Sequence, residues 1–215
     1  MPTSKVSPRP SRAPEAADGV RWKGAVVARI EPIPMGELPA ESREMMEAGT
    51  ATGMYSITSP LQIIAYSTAA MTALHRQYEA TFRKGVLEPR LVELLRLHSA
   101  TTSACEPCSA SRKDDSISDD DIACLLSPDA ESDRFTPRER AAISFFDQLN
   151  TDHHAINDDT FRSLSEVFTT AEIVEMAYLC SNFLGGHRLM HTLGVFGESA
   201  PVIAYQPGDV DRSHA

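Results

Sequence analysis

Residues 89–112 read PRLVELLRLHSATTSACEPCSASR, and the rest of the chain is best read outward from them. Glu88-Pro89 opens a helix, because a proline at the first helical position gives up an N–H that would be unpaired anyway. Leu91, Leu94, Leu95 and Leu97 follow at helical spacing, and the pattern runs on through His98, Ser99, Ala100 and Thr101. Pro107 is tolerated only in the first turn of a helix, so a second helix is predicted to begin around Cys105 to Cys108. The stretch is therefore helix, tight turn, helix, with two cysteines where the second helix starts.

The flanks repeat this logic. Residues 40–48 predict a short helix closed by Gly49. Ser59-Pro60 opens a long one that runs to about Lys84 and stops at Gly85. Ser118 and Asp119 to Asp121 cap a short helix ending near Leu126. Thr136-Pro137-Arg138-Glu139 combines a cap, a first-turn proline and a capping-box glutamate. Helices over 157–168 and 170–193 complete the set. No run alternates as a strand does, and no Asn-Gly hairpin signal occurs, so the fold class is all-α. Residues 1–20 hold Pro, Ser, Ala and charge with little to bury, which predicts a disordered tail. Residues 21–205 read as one helical domain, entered through an extended, proline-bearing segment, and 206–215 as a flexible C-terminus.

With 20 basic and 30 acidic residues the formal charge is −10, which argues against nucleic acid and anionic membrane as main partners. No apolar run spans a bilayer, and the N-terminus lacks the apolar core of an export signal. The expected compartment is the cytoplasm. There, of the four cysteines, the Cys-x-x-Cys pair is expected to do chemistry, while Cys124 and Cys180 read as small buried hydrophobes.

The thiolate is the reactive form of cysteine, and a free thiol with a pKa of ~8.5 supplies little of it at neutral pH. Cys108, in the first helical turn after Pro107, meets unpaired N–H groups that favour a negative sulfur. It is the predicted nucleophile, with Cys105 as resolving partner and Arg112, one turn on, as a stabilising charge. Glu93 shares a helix side with Leu97, Ala100 and Ala104, and burial there would raise its carboxyl toward the range of a general base. His187 and His191, one turn apart on the last helix, continue an apolar stripe and are accessory candidates. A structural zinc needs about four Cys/His ligands, and no second pair follows, so no metal is expected. No bound cofactor is required either, since a dithiol carries its own electrons.

Taken together, these residues resemble the carboxymuconolactone decarboxylase / alkylhydroperoxidase D-like (AhpD-like) family over roughly residues 28–200. The resemblance lies in ARIEPIPMGELPAESREMMEAG, the helical pair with its cysteine motif, FTPRERAAISFFDQL and AEIVEMAYLCSNFLGGHRLMHTLGV, in that order. It implies a compact helical bundle that assembles as a homo-oligomer, a trimer or hexamer. AhpD-like members carry a glutamate, then eleven residues, then Cys-x-x-Cys, then a histidine four residues past the second cysteine, and Glu93, Cys105 and Cys108 keep that spacing. In such enzymes the second cysteine attacks peroxide or exchanges disulfide, the first resolves it, and a glutamate–histidine relay moves the proton. Here the histidine position is Arg112, which stays charged and cannot shuttle protons, so the relay is rebuilt or lost. The implied function is a thiol-dependent oxidoreductase acting on a small-molecule substrate, with a protein thiol or disulfide as electron donor. Two alternatives stay open: a lyase acting on a small anionic acid or lactone through Glu93 and Arg112, and a non-catalytic oligomeric scaffold.

Overall fold

A computed structural model describes residues 28–125 and 133–195; the tails expected at 1–20 and 206–215 lie outside them. The described residues contain helices and no strand. In chain order they are α1 (Ala40–Ala51), α2 (Ser59–Ile64), α3 (Thr68–Arg83), α4 (Pro89–Thr102), α5 (Glu106–Ala110), α6 (Asp119–Leu125), α7 (Pro137–Thr151), α8 (Asp158–Ser165) and α9 (Thr170–Leu193). None is long and apolar enough to cross a membrane.

Helix α4 is the axis of the molecule: every residue from Leu91 to Ala100 is buried. Leu91, Val92 and Leu95 join Phe145 and Phe146 of α7 and Met176, Leu179 and Leu184 of α9 in the main core. Leu94 and Leu97 face a second cluster with Ile117, Leu125, Phe135 and Ile143. A third, built from α1 to α3 around Met46, Tyr55, Leu61 and Met71, packs beside them. A helix buried all round also buries its polar residues, so Glu93, Arg96, His98 and Ser99 must find partners inside.

Two predicted caps are present, and one is not: Ser59, expected as an N-cap, is already the first residue of α2, whose N-cap Thr58 makes no side-chain cap bond. Thr136 and Glu139 form the reciprocal capping box of α7, and Ser118 Oγ accepts from the Asp121 N–H at 3.1 Å at the start of α6. Some boundaries differ from expectation, and α8 ends at Ser165, short of the expected 168. The segment 59–84 is two helices, because Ser67 leaves the helical conformation and its Oγ accepts from the Ala70 N–H at 3.3 Å to start α3 afresh. Gly49 does not end α1, which continues to Ala51 before a left-handed turn at Gly53 (φ 68°). Gly49 is a glycine for another reason: the Tyr55 ring occupies the space a Cβ would need.

Candidate functional site

The site grows from one turn of α4. Arg96 donates from Nε to Glu93 Oε2 at 2.6 Å and from Nη2 to Glu93 Oε1 at 2.7 Å. The same guanidinium reaches across to the cysteine loop, giving Nη1 to the Cys108 carbonyl and Nη2 to the Ser111 carbonyl, both at 2.8 Å. Glu93 Oε1 also accepts the Lys113 backbone N–H at 2.8 Å. A bidentate buried ion pair is thus the clamp that holds residues 108–113 against α4.

The loop it holds carries Cys105 and Cys108, joined as a disulfide with Cα atoms 5.3 Å apart. The chain turns at Ala104, which takes a left-handed conformation (φ 51°), and Cys105 N–H then donates to the Ala100 carbonyl at 2.8 Å. The two sulfurs are not equivalent. Cys105 is 0% exposed, whereas Cys108 is partly exposed and lines a cavity of about 120 Å³. Leu61, Tyr78, Phe82 and Phe183 are among its apolar walls; Arg96, Lys113, Ser56, Ser111 and His187 are among its polar groups.

Burial sets the electrostatics. It pushes the Lys113 ammonium down to about 7, with Arg96 acting in the same direction and Glu93 opposing. It pushes the His187 imidazole down to about 4, again reinforced by Arg96. His187 Nδ1 is 2.8 Å from Ser99 Oγ, so α9 and α4 are tied together beneath the cavity.

Several expected roles change in the folded chain. Glu93 is 1% exposed with both carboxylate oxygens engaged by Arg96 and the Lys113 N–H, so it holds the loop against α4, and it does not line the cavity. Arg112 is turned away: its Nη2 donates to Asp119 at 2.8 Å, its Nη1 donates to the Ser109 carbonyl, and it does not line the cavity. The cations that do line it are Arg96 and Lys113. His187 is brought to the cavity, while His191, one turn further, is exposed outside its lining. His98 pairs through Nε2 with Asp147 at 2.6 Å, on another side of α4 from the cavity. Cys180 is a buried core thiol pushed up to about 12, and Cys124 packs against the second core cluster.

Arg96 was within reach of sequence reasoning, since it lies three residues from Glu93 on a helix. Lys113, Ser56 and Ser111 gave no local signal.

No protein-family model matches the sequence, and no curated protein matches it. Solved structures do. A peroxidase-related protein from Ralstonia eutropha JMP134, described as an alkylhydroperoxidase AhpD core, superposes with a TM-score of 0.64 at 18% identity, covering 85% of this chain and 93% of that one. A peroxidase-related protein from Silicibacter sp. TM1040 gives 0.64 at 13% identity, covering 88% and 100%. A putative antioxidant defence protein AhpD from Agrobacterium tumefaciens gives 0.54 at 24%, covering 65% and 96%. The chain has the AhpD-like fold.

Proposed function

We propose that the chain is a thiol-dependent oxidoreductase that reduces a small hydroperoxide or disulfide with the Cys105–Cys108 dithiol. The observation that carries this reading is the asymmetry of the pair: Cys105 is sealed in the core while Cys108 faces the cavity. A substrate entering the cavity meets Cys108 first, and only Cys105 stands behind it to resolve the product.

In the reduced protein the Cys108 thiolate attacks the terminal oxygen of a hydroperoxide. The O–O bond breaks, the alcohol leaves with a proton, and Cys108 becomes a sulfenic acid. The Cys105 sulfur then displaces the hydroxyl, which departs as water, and the disulfide forms. An external dithiol, in our reading a protein thiol, reduces the disulfide by exchange. The five residues of α5 make a weak dipole, so the Arg96 guanidinium, bound to the Cys108 carbonyl, and the protonated fraction of Lys113 are the groups along the cavity that favour a thiolate. His187, pushed down to about 4, is neutral at physiological pH and a poor acceptor for a thiol proton, so its part is to shape the site. The apolar walls suit an alkyl or aryl hydroperoxide. The names of the structural neighbours, AhpD and peroxidase-related, agree with this assignment.

The lyase reading gains no support from the cavity, whose lining includes neither Glu93, held in the buried ion pair, nor Arg112, paired with Asp119. Self-association is supported by Val174, Tyr178 and Leu189, large apolar side chains exposed along one face of α9.

The test is single-turnover oxidation of the reduced protein by an organic hydroperoxide, followed by loss of free thiol. Cys108→Ser should abolish the reaction. Cys105→Ser should consume one equivalent and leave a sulfenic acid on Cys108 that dimedone traps. Equal reactivity of the two variants, or none in the wild type, sinks the proposal.

A further inference from the structure

A serine–lysine contact lines the cavity beside the disulfide. Lys113 Nζ lies in hydrogen-bond contact with Ser56 Oγ and also donates to the carbonyls of Gly53 at 2.6 Å and Met54 at 3.2 Å. Ser111 Oγ donates to Ser56 Oγ at 2.7 Å. Ser56 and Ser111 are buried, and with Lys113 they line the cavity. We propose that Ser56 and Lys113 form a nucleophile–base pair, supported by Ser111, that hydrolyses small esters with a short acyl group.

The geometry serves both protonation states of the lysine. As an ammonium it donates to Ser56 and to the two carbonyls. As an amine it keeps the two carbonyl bonds, and its lone pair faces the Ser56 hydroxyl proton. The proton therefore crosses between the two groups without rearrangement of the site. Burial brings the lysine into the range where the amine is populated near neutral pH, the condition for a general base. Ser56 sits in the loop between α1 and α2, and α2 makes no side-chain cap from it, so helix capping does not account for its place. The apolar walls at Leu61, Tyr78 and Phe183 fit an uncharged ester body, and Arg96 lines the same cavity.

The steps balance without a redox partner. Ser56 Oγ adds to the ester carbonyl carbon as its proton passes to Lys113 Nζ. The tetrahedral intermediate collapses, the bond to the alcohol oxygen breaks, and Lys113 returns the proton to that oxygen. Water, deprotonated by Lys113, then cleaves the acyl–Ser56 ester and restores the serine. Both sulfurs stay in the disulfide throughout, so this activity stands or falls apart from the peroxide reaction.

The experiment uses the full chain without reductant, with p-nitrophenyl acetate as substrate and a fluorophosphonate as serine probe. Peptide mass spectrometry should place the phosphonate on Ser56 of the wild type, and ester turnover should rise with pH through about 7. Ser56→Ala should lose both signals, and Lys113→Met should lower turnover at least ~100-fold. The wild-type adduct decides the matter even if a variant fails to fold. Absence of an adduct on Ser56, an adduct on Ser111 in its place, or turnover that survives Ser56→Ala overturns the proposal.

Discussion

Glu93 shows how burial changes the meaning of a residue. A carboxylate with the spacing of a general base is here one half of a buried ion pair with Arg96, and the pair also holds the carbonyls of Cys108 and Ser111. Removing one charge from such a pair leaves the other desolvated, which typically costs about 3–5 kcal/mol. Glu93→Gln is therefore expected to destabilise the fold by that amount in urea titration and to loosen the cysteine loop with it. A loss under 1 kcal/mol would show that the pair is solvated. His187 gives a prediction in pH. Its folded value of about 4 lies below the unfolded 6.5, so the unfolded chain takes up the proton first as pH falls. Its contribution is fully present above 6.5 and is lost as pH drops through about 4, with an upper bound near 3 kcal/mol. The stability difference between the wild type and His187→Asn should shrink over that window. A difference that stays constant would assign the acid loss to other groups.

At the scale of the element, the site depends on where helices end. The turn at Gly53 after α1 brings the Gly53 and Met54 carbonyls to Lys113 Nζ, and Tyr55 folds back over Gly49. A methyl group at position 49 would meet the Tyr55 ring, and overpacking of this kind costs about 1–3 kcal/mol. Gly49→Ala should therefore lower stability although alanine is the better helix former; a stabilised variant would mean that the ring moves aside freely. Because Tyr55 also lines the cavity, the same variant should change the pH dependence or rate of any reaction there. The C-terminus of α9 is held from the other end of the domain: Arg29 Nη1 donates to the His191 carbonyl at 2.9 Å and the Arg29 N–H donates to the Leu193 carbonyl at 2.8 Å.

At the scale of the whole molecule, the disulfide contributes little to holding the fold together. It joins residues three apart, and closing so short a loop removes little entropy from the unfolded chain, about 2 kcal/mol at most. The main core, shared by α4, α7, α8 and α9, is built without it. Reduction should therefore lower stability by no more than about 2 kcal/mol in denaturant titration and leave the helical circular dichroism unchanged. A reduced protein that unfolds would mean that the pair is a structural staple and not a redox couple. A protein that cycles its dithiol needs this independence, because each turnover passes through the reduced state.

The all-α class, the capped starts of α6 and α7, the proline-led start of α4 and the cysteine pair at the head of α5 were legible in the sequence, because each rests on residues within about four positions of one another. The break between α2 and α3 left only a weak cue in Ser67, since it depends on where two apolar faces must point. The inner surface of the cavity left almost none. Lys113 meets Ser56 across 57 positions and Ser99 meets His187 across 88. Arg112 sits at the spacing of the relay histidine yet turns to Asp119, while Arg96 and Lys113 supply the charge at the cavity. Spacing along a chain determines which side chains share a helix face. Which of them are desolvated, and against what, is decided only when the helices pack.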